Sequence, residues 1–271
     1  MVTEDQYMVT GGTSKVVMRD WYSDPQPMLT FTAEEANSTV SMYKDGTAPD
    51  VTLVYSTDDG STWSDFIVGE TTVTLANVGD KMFLRAKTTN SGMGDEHGWN
   101  RFSLGGKIAA SGSVMYLLDK EGDLYAPIHD YCFRYLFSGN NSLTSSPDFP
   151  SLNLAPYCYQ YAFNWCEGLV KAPDILPATT LAEGCYWDMY SGCTQLAKAP
   201  YLPATELAPY CYYYMFNVDY AMNEVKIGYT GNFDSIYFYE WLAGTSSTGT
   251  FYYNGSDTSR GRSAIPYDWV V

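Results

Sequence analysis

The sequence predicts a mainly β, α+β protein: an N-terminal small β-sandwich, a short array of stacked repeats, and a C-terminal cap. Three observations carry that expectation. Short β-rich runs punctuated by turn residues fill residues 28–100. From residue 128 to 222 the chain repeats itself: Cys132, Cys158, Cys185 and Cys211 are 26, 27 and 26 residues apart. Hydrophobic residues are 45% and charged residues 17%, enough to build a packed core. Twenty of the 25 Tyr follow residue 124, so the composition changes where the repeats begin.

Residues 1–27 are polar, end in Asp24-Pro-Gln-Pro27, and read as an arm with one strand at Lys15–Met18. Strands are expected at Leu29–Phe31, Thr39–Tyr43, Val51–Tyr55, Trp63–Val68, Thr72–Leu75 and Met82–Ala86. Asp45-Gly46, Asp59-Gly60 and Val78-Gly79-Asp80 separate them, and Gly there accepts the positive φ of tight turns. Six short strands at that spacing suggest a small Ig-like sandwich over 28–100, closed by the loop Asn90–Gly98. Residues 101–127 read as a linker and the N-terminal cap of the repeats. Their acidic turn, Asp119–Asp123, lacks the full EF-hand pattern for Ca²⁺ and reads as a solvated hairpin turn.

The repeats occupy 128–222. Aligned on Cys they include Leu154-Ala-Pro-Tyr-Cys-Tyr-Gln-Tyr-Ala-Phe163 and Leu207-Ala-Pro-Tyr-Cys-Tyr-Tyr-Tyr-Met-Phe216. Self-similarity at this period means stacked units, each too small to bury a core alone. With Cys as position 0, apolar residues recur at +1, +4, +5 and +8, one face of a two-turn helix at about 100° per residue. The opposite positions, +2, +3, +6 and +7, are expected to face solvent. Six of those sixteen residues are Tyr or Trp: Tyr135, Tyr161, Trp165, Trp187, Tyr213 and Tyr214. With Asp188 and Asn217 they form the candidate binding face, since aromatic area mixed with small polar side chains is a binding palette. Burial under a neighbouring domain or subunit is the competing explanation. Residues 223–271 read as the C-terminal cap, with a helix Ser235–Ala243 between Asp234 and Gly244, and closing strands at Gly249–Tyr253 and Ile265–Val271.

Charge excludes some functions. Lys+Arg 15 against Asp+Glu 31 gives −16, which argues against nucleic acid and anionic membrane as partners. No apolar run is long enough to cross a bilayer. The start, Met1-Val-Thr-Glu-Asp5, has no leader pattern, which favours assembly into a particle over secretion. Cys158/Cys166 and Cys185/Cys193 are eight apart, too far for zinc knuckles, so the six Cys read as buried free thiols and no metal or cofactor is expected. No catalytic motif occurs, Asp95-Glu-His97 has no partner in sequence, and the chain reads as non-enzymatic with no catalytic residues.

The unit Leu-Ala-x-x-Cys-Tyr-x-x-Met-Phe/Tyr, followed by x-Leu-x-x-Ala-Pro-x-Leu-Pro-Ala-Thr, resembles the BspA-like leucine-rich repeats of gut Bacteroidales surface proteins and of phages infecting those bacteria. Gly249-Thr-Phe-Tyr with Arg260–Trp269 looks like the segment that closes such arrays, and Val54–Trp63 is similar to the β module that precedes them. The first repeat departs from the pattern, with Asn140 where later units have Cys. The resemblance implies a right-handed leucine-rich-repeat solenoid used for adhesion. It implies a phage structural protein at the virion surface (fibre, spike or decoration) contacting a host surface glycan or protein. The arm and β domain would meet other virion proteins, and a homo-oligomer such as a trimer suits a fibre. A bacterial cell-surface or secreted adhesin and a purely structural virion subunit are the alternatives.

Overall fold

The computed structural model describes residues 26–271 and is mainly β with almost no helix. Apart from Gln26 and Pro27, the expected arm over 1–27, with its strand at Lys15–Met18, lies outside the described residues.

The six strands expected in the N-terminal region form: β1 (Thr30–Ala33), β2 (Ser38–Gly46), β3 (Leu53–Ser56), β4 (Ser64–Phe66), β5 (Thr72–Leu75) and β6 (Lys81–Ala86). Alternation explains them. In β6, and in β2 from Ser38 to Met42, every second residue is buried, as a half-buried strand requires. Two further strands, β7 (Gly98–Gly105) and β8 (Ile108–Ser111), fall mainly in the stretch read as linker. β5, β2 and β7 make one antiparallel sheet. A six-stranded sheet runs β4-β3-β6-β1-β8-β9, where β9 (Leu143–Ser145) belongs to the first repeat and pairs parallel with β8. The two sheets meet through Phe31 and Phe102, ring centroids 5.0 Å apart. After β8, Val114–Leu117 form a 3-10 turn capped by the Ser113 hydroxyl. In the turn Asp119–Asp123, the Asp119 carboxylate accepts the N–H groups of Glu121 and Gly122 at 2.7 Å.

The two-turn helices expected in the repeats do not form. In the first unit the N–H groups of Cys132, Arg134, Leu136, Ser138 and Asn140 each bond the carbonyl three residues back. The intervening N–H groups bond the next unit: Tyr131 to Pro156, Phe133 to Cys158, Tyr135 to Gln160, Phe137 to Ala162 and Gly139 to Asn164. The same alternation runs through the following units, up to Val218 bonding Ala243. Every fourth residue takes a left-handed conformation, including Tyr135, Tyr161, Asp188 and Tyr214 (φ 51 to 59°). The result is a ribbon of linked turns with a four-residue period. Apolar positions at 0, +1, +4, +5 and +8 fit a period of four as well as one of 3.6, which is why the pattern alone misleads. Spacing decides the matter. Helices pack about 8–10 Å apart, whereas rings of consecutive units stack at 4.6 Å (Tyr135–Tyr161) or 5.3 Å (Phe137–Phe163), close to strand separation.

Two internal aromatic ladders fill the core. Phe133, Tyr159, Tyr186, Tyr212 and Phe238 stack at 5.8, 5.9, 6.0 and 5.5 Å. Phe102, Phe137, Phe163, Tyr190 and Phe216 stack at 4.8, 5.3, 5.2 and 5.7 Å. Each contact adds about 0.5–1.5 kcal/mol beyond area burial. Phe31 and Phe102 thereby join the N-terminal sheets to the same core. On the far side of the units, isolated parallel bridges such as Ser145↔Lys171, Ile175↔Tyr201 and Leu202↔Ile227 link neighbours, and β10 (Glu224–Lys226) pairs parallel with β11 (Thr250–Tyr252).

The expected helix Ser235–Ala243 is one turn long: α1 spans Ser235–Phe238, and the Asp234 carboxylate caps it by accepting the Ile236 N–H at 2.9 Å. The chain then resumes the turn ribbon as a fifth unit, with Tyr237 in the Cys place and Trp241 closing the second ladder. The expected strand Ile265–Val271 is reduced to isolated bridges at Ile265 and Val270.

Candidate functional site

The outer side of the turn ribbon carries a second set of aromatic rows. At position +3, Trp99 meets Tyr135 at 4.3 Å and Tyr135 stacks on Tyr161 at 4.6 Å with 13° between planes. Asp188 and Tyr214 hold the next places in that row; Tyr239, at +2 of the fifth unit, meets Tyr214 edge to face at 5.4 Å, and Glu240 (φ 48°) takes the +3 place. At position −1, Tyr131 stacks on Tyr157 at 5.1 Å and 8°. Gly184 then replaces the tyrosine. Its backbone lies against the Tyr157 ring, where a Cβ would come within 2.4 Å of Cδ1. Trp187 leans into the space, 6.2 Å from Tyr157 and 5.8 Å from Tyr210. Tyr213 joins this group at 5.4 Å from Trp187 and stacks on Tyr239 at 5.3 Å.

The candidate residues therefore sit on one side of the ribbon. Tyr135, Tyr161, Trp187, Asp188, Tyr213, Tyr214 and Asn217 are half-buried, and Trp165 is 51% exposed, its indole lying over Gly192. Cys185 and Cys211 face the opposite way, fully buried. The carbonyls of Trp187, Tyr213 and Asn217 hold the ribbon together, accepting the N–H groups of Tyr161, Asp188 and Gly192 at 3.0, 2.8 and 2.9 Å. Trp99, Tyr131, Tyr157, Tyr210 and Tyr239 belong to the same face but escape the sequence reading. The −1 tyrosines recur between units, and recurrence was equated with core. Trp99 and Tyr239 lie outside the aligned repeats.

Electrostatics divides the face. Arg134 lies over Trp99, Tyr131 and Tyr135 at 5.3, 5.1 and 5.1 Å, and its Nη1 donates to the Glu96 carbonyl at 3.2 Å. Arg101 lies over Tyr43 at 4.7 Å. Among the described residues neither guanidinium has a carboxylate within ion-pair distance. Both charges act on the Tyr135 hydroxyl, although burial outweighs them and raises its pKa. Asp188 sits midway along the face: burial pushes its carboxyl up to about 6, offset in part by Ser191 and Trp187. By contrast, a groove of about 370 Å³ in the N-terminal sheets is lined by Lys44 and Lys87, each already paired with a carboxylate at 2.6 Å.

Among the described residues no group of three His, Cys, Asp or Glu is placed to hold a metal. All six Cys are buried free thiols. The Cys166 and Cys193 thiols donate to the Phe137 and Phe163 carbonyls at 3.0 and 3.2 Å, which fixes their role as packing and local hydrogen bonding. Among the described residues no helix is long and apolar enough to cross a membrane. Comparisons with known protein families, curated proteins and solved structures give no match.

Proposed function

We propose that the chain is a non-enzymatic surface-binding protein that attaches to a bacterial surface glycan or protein through its outer aromatic face. The observation that carries this is the outer aromatic face from Trp99 to Tyr239, mostly half-buried rings with Trp165 and Tyr239 exposed and Asp188 interrupting the row, on the far side of a ribbon whose core is already filled by two other ladders. Those outer rings are not needed to close the core. Contiguous exposed aromatic area of this kind marks interaction surfaces. The BspA-like solenoid and the Ig-like module remain part of this proposal, resting on the sequence resemblance; the structure contributes a mainly β chain with units in register. On that resemblance the protein belongs at a virion surface, with a bacterial cell-surface adhesin as the second placement.

Trp165→Ala, Trp187→Ala and Tyr213→Ala test the proposal. Each should reduce adsorption of the purified protein to Bacteroidales cells at least about fivefold, with the melting temperature within a few degrees of the parent. Unchanged adsorption by all three folded variants would remove the aromatic face from the function.

A further inference from the structure

We infer that the N-terminal end of the aromatic face is a subsite for an acidic oligosaccharide, with Arg101 and Arg134 receiving its carboxylate and Tyr135 and Tyr161 its ring. This rests on the face being the attachment surface, and it names the ligand class.

The cations come first. In a chain of net charge −16, Arg101 and Arg134 have no carboxylate partner among the described residues, as is also true of Lys81, Arg85, Lys107, Lys171, Lys226 and Arg260; a buried Nε without an acceptor sets the two apart. Arg134 takes the carbonyl of Glu96 and not its carboxylate. Asp45 lies opposite Trp99 in the β2–β7 register, two pairs along from Tyr43 and Arg101, yet forms no ion pair with either arginine. The Nε atoms of both arginines and the Trp99 indole nitrogen are buried donors without an acceptor. Aromatic faces hold the two guanidiniums in place, so little side-chain freedom is lost when an anion arrives. Trp99 and Arg101 are two apart on β7 and share its outer side, and Tyr135 touches Trp99 while feeling both arginine charges. The overall negative charge does not forbid this, because charges more than about 8 Å away are largely screened at physiological salt.

The rings select a sugar over a peptide. A peptide adding to this face as a further strand needs free backbone donors and acceptors. Here the ribbon N–H groups are committed alternately to the carbonyl three residues back and to the next unit. What remains is a flat, near-parallel pair, Tyr135 and Tyr161, beside the guanidiniums. A pyranose offers a C–H face to such rings and a carboxylate at its rim to the arginines.

The test uses the full chain and three carboxylated probes, oligogalacturonate, hyaluronan hexasaccharide and oligosialic acid, each against its carboxyl-reduced neutral form. Titration follows intrinsic tyrosine and tryptophan fluorescence. At least one acidic probe should bind about tenfold more tightly than its neutral form, with the preference shrinking as salt rises. Arg101→Gln and Arg134→Gln should each remove most of that preference, read as the ratio of acidic to neutral affinity. Arg134→Lys, which keeps the cation, guards against loss of fold and should retain part of it. The inference is overturned if no acidic probe binds, if acidic and neutral forms bind alike, or if a polyglutamate peptide binds as tightly as the best sugar. Tyr161→Ala separates the two levels. If host-cell adsorption survives it and the folded Trp and Tyr variants above, the attachment reading fails; if adsorption falls while acid preference is absent, only this subsite fails.

Discussion

Tyr161 stacks on Tyr135 with ring centroids 4.6 Å apart, but the residue that continues their row is the carboxylate of Asp188. One rung of the outer ladder is thus replaced by an acid whose burial raises its pKa to about 6. Asp148, near Asp174, is likewise pushed up to about 6 by burial.

Both acids bind protons more tightly in the folded chain than in the unfolded one, so stability is greatest below pH 4 on their account and falls as pH rises toward 6. Asp58, held down to about 2 by hydrogen bonds from Ser56 and Thr62, acts below that window and with the opposite sign. Urea unfolding should give a higher midpoint at pH 4.5 than at pH 7.5. Asp188→Asn should flatten that profile and add on the order of 1 kcal/mol at pH 7.5, allowing for its remaining exposure. A midpoint rising from pH 4.5 to 7.5 would contradict the assignment.

Asp219 stands where the two preceding units have Cys166 and Cys193. It is fully buried, and burial raises its pKa far above the carboxylate range. The nearest donors, the N–H groups of Gly192 and Cys193, are already committed to the Asn217 and Tyr190 carbonyls, so neither carboxyl oxygen gains a hydrogen bond. Asp219→Cys restores the thiol of the array and should stabilise the chain by about 1–3 kcal/mol. The gain should grow with pH, since the wild-type acid is penalised more once it ionises. Equal stability of the two proteins at pH 9 would refute this.

The inner and outer rings should respond differently to truncation. Tyr186 is 1% exposed and stacks on Tyr159 and Tyr212, so Tyr186→Ala should cost about 3–5 kcal/mol. Trp165→Ala, at a residue 51% exposed, should cost under about 1 kcal/mol. Tyr190→Phe should be neutral or stabilising: Ser146 lies near the Tyr190 hydroxyl, but no hydrogen bond closes. Equilibrium denaturation ranks all three.

The thiols give a test independent of mutation. Burial pushes Cys132, Cys166 and Cys211 up to about 12 and raises Cys158, Cys185 and Cys193 as well. Thiolate is the reacting form, so a thiol-specific reagent at pH 8 should label none of the six in the folded chain and all of them in denaturant. Rapid labelling of any one under native conditions would show that its unit opens.

By itself the sequence determined the mainly β class, the six N-terminal strands, the 26–27-residue repeat and the apolar side of each unit, although Ser138, Gln160, Ser191 and Gly192, expected in solvent, are buried. Local alternation and self-similarity encode all of these. Tertiary structure alone decided that the units are turn ribbons and not helices. A pattern of paired apolar residues every four positions satisfies both, and only hydrogen bonds from one unit to the next select the ribbon. It also decided that Trp99 and Arg101, from a stretch that shows no repeat, join Arg134 and Tyr135 on the outer face. Their meeting depends on β7 docking beside the first unit through the Phe102–Leu136 hydrogen bond and the Phe102–Phe137 stack, contacts between segments more than thirty residues apart that no local pattern records.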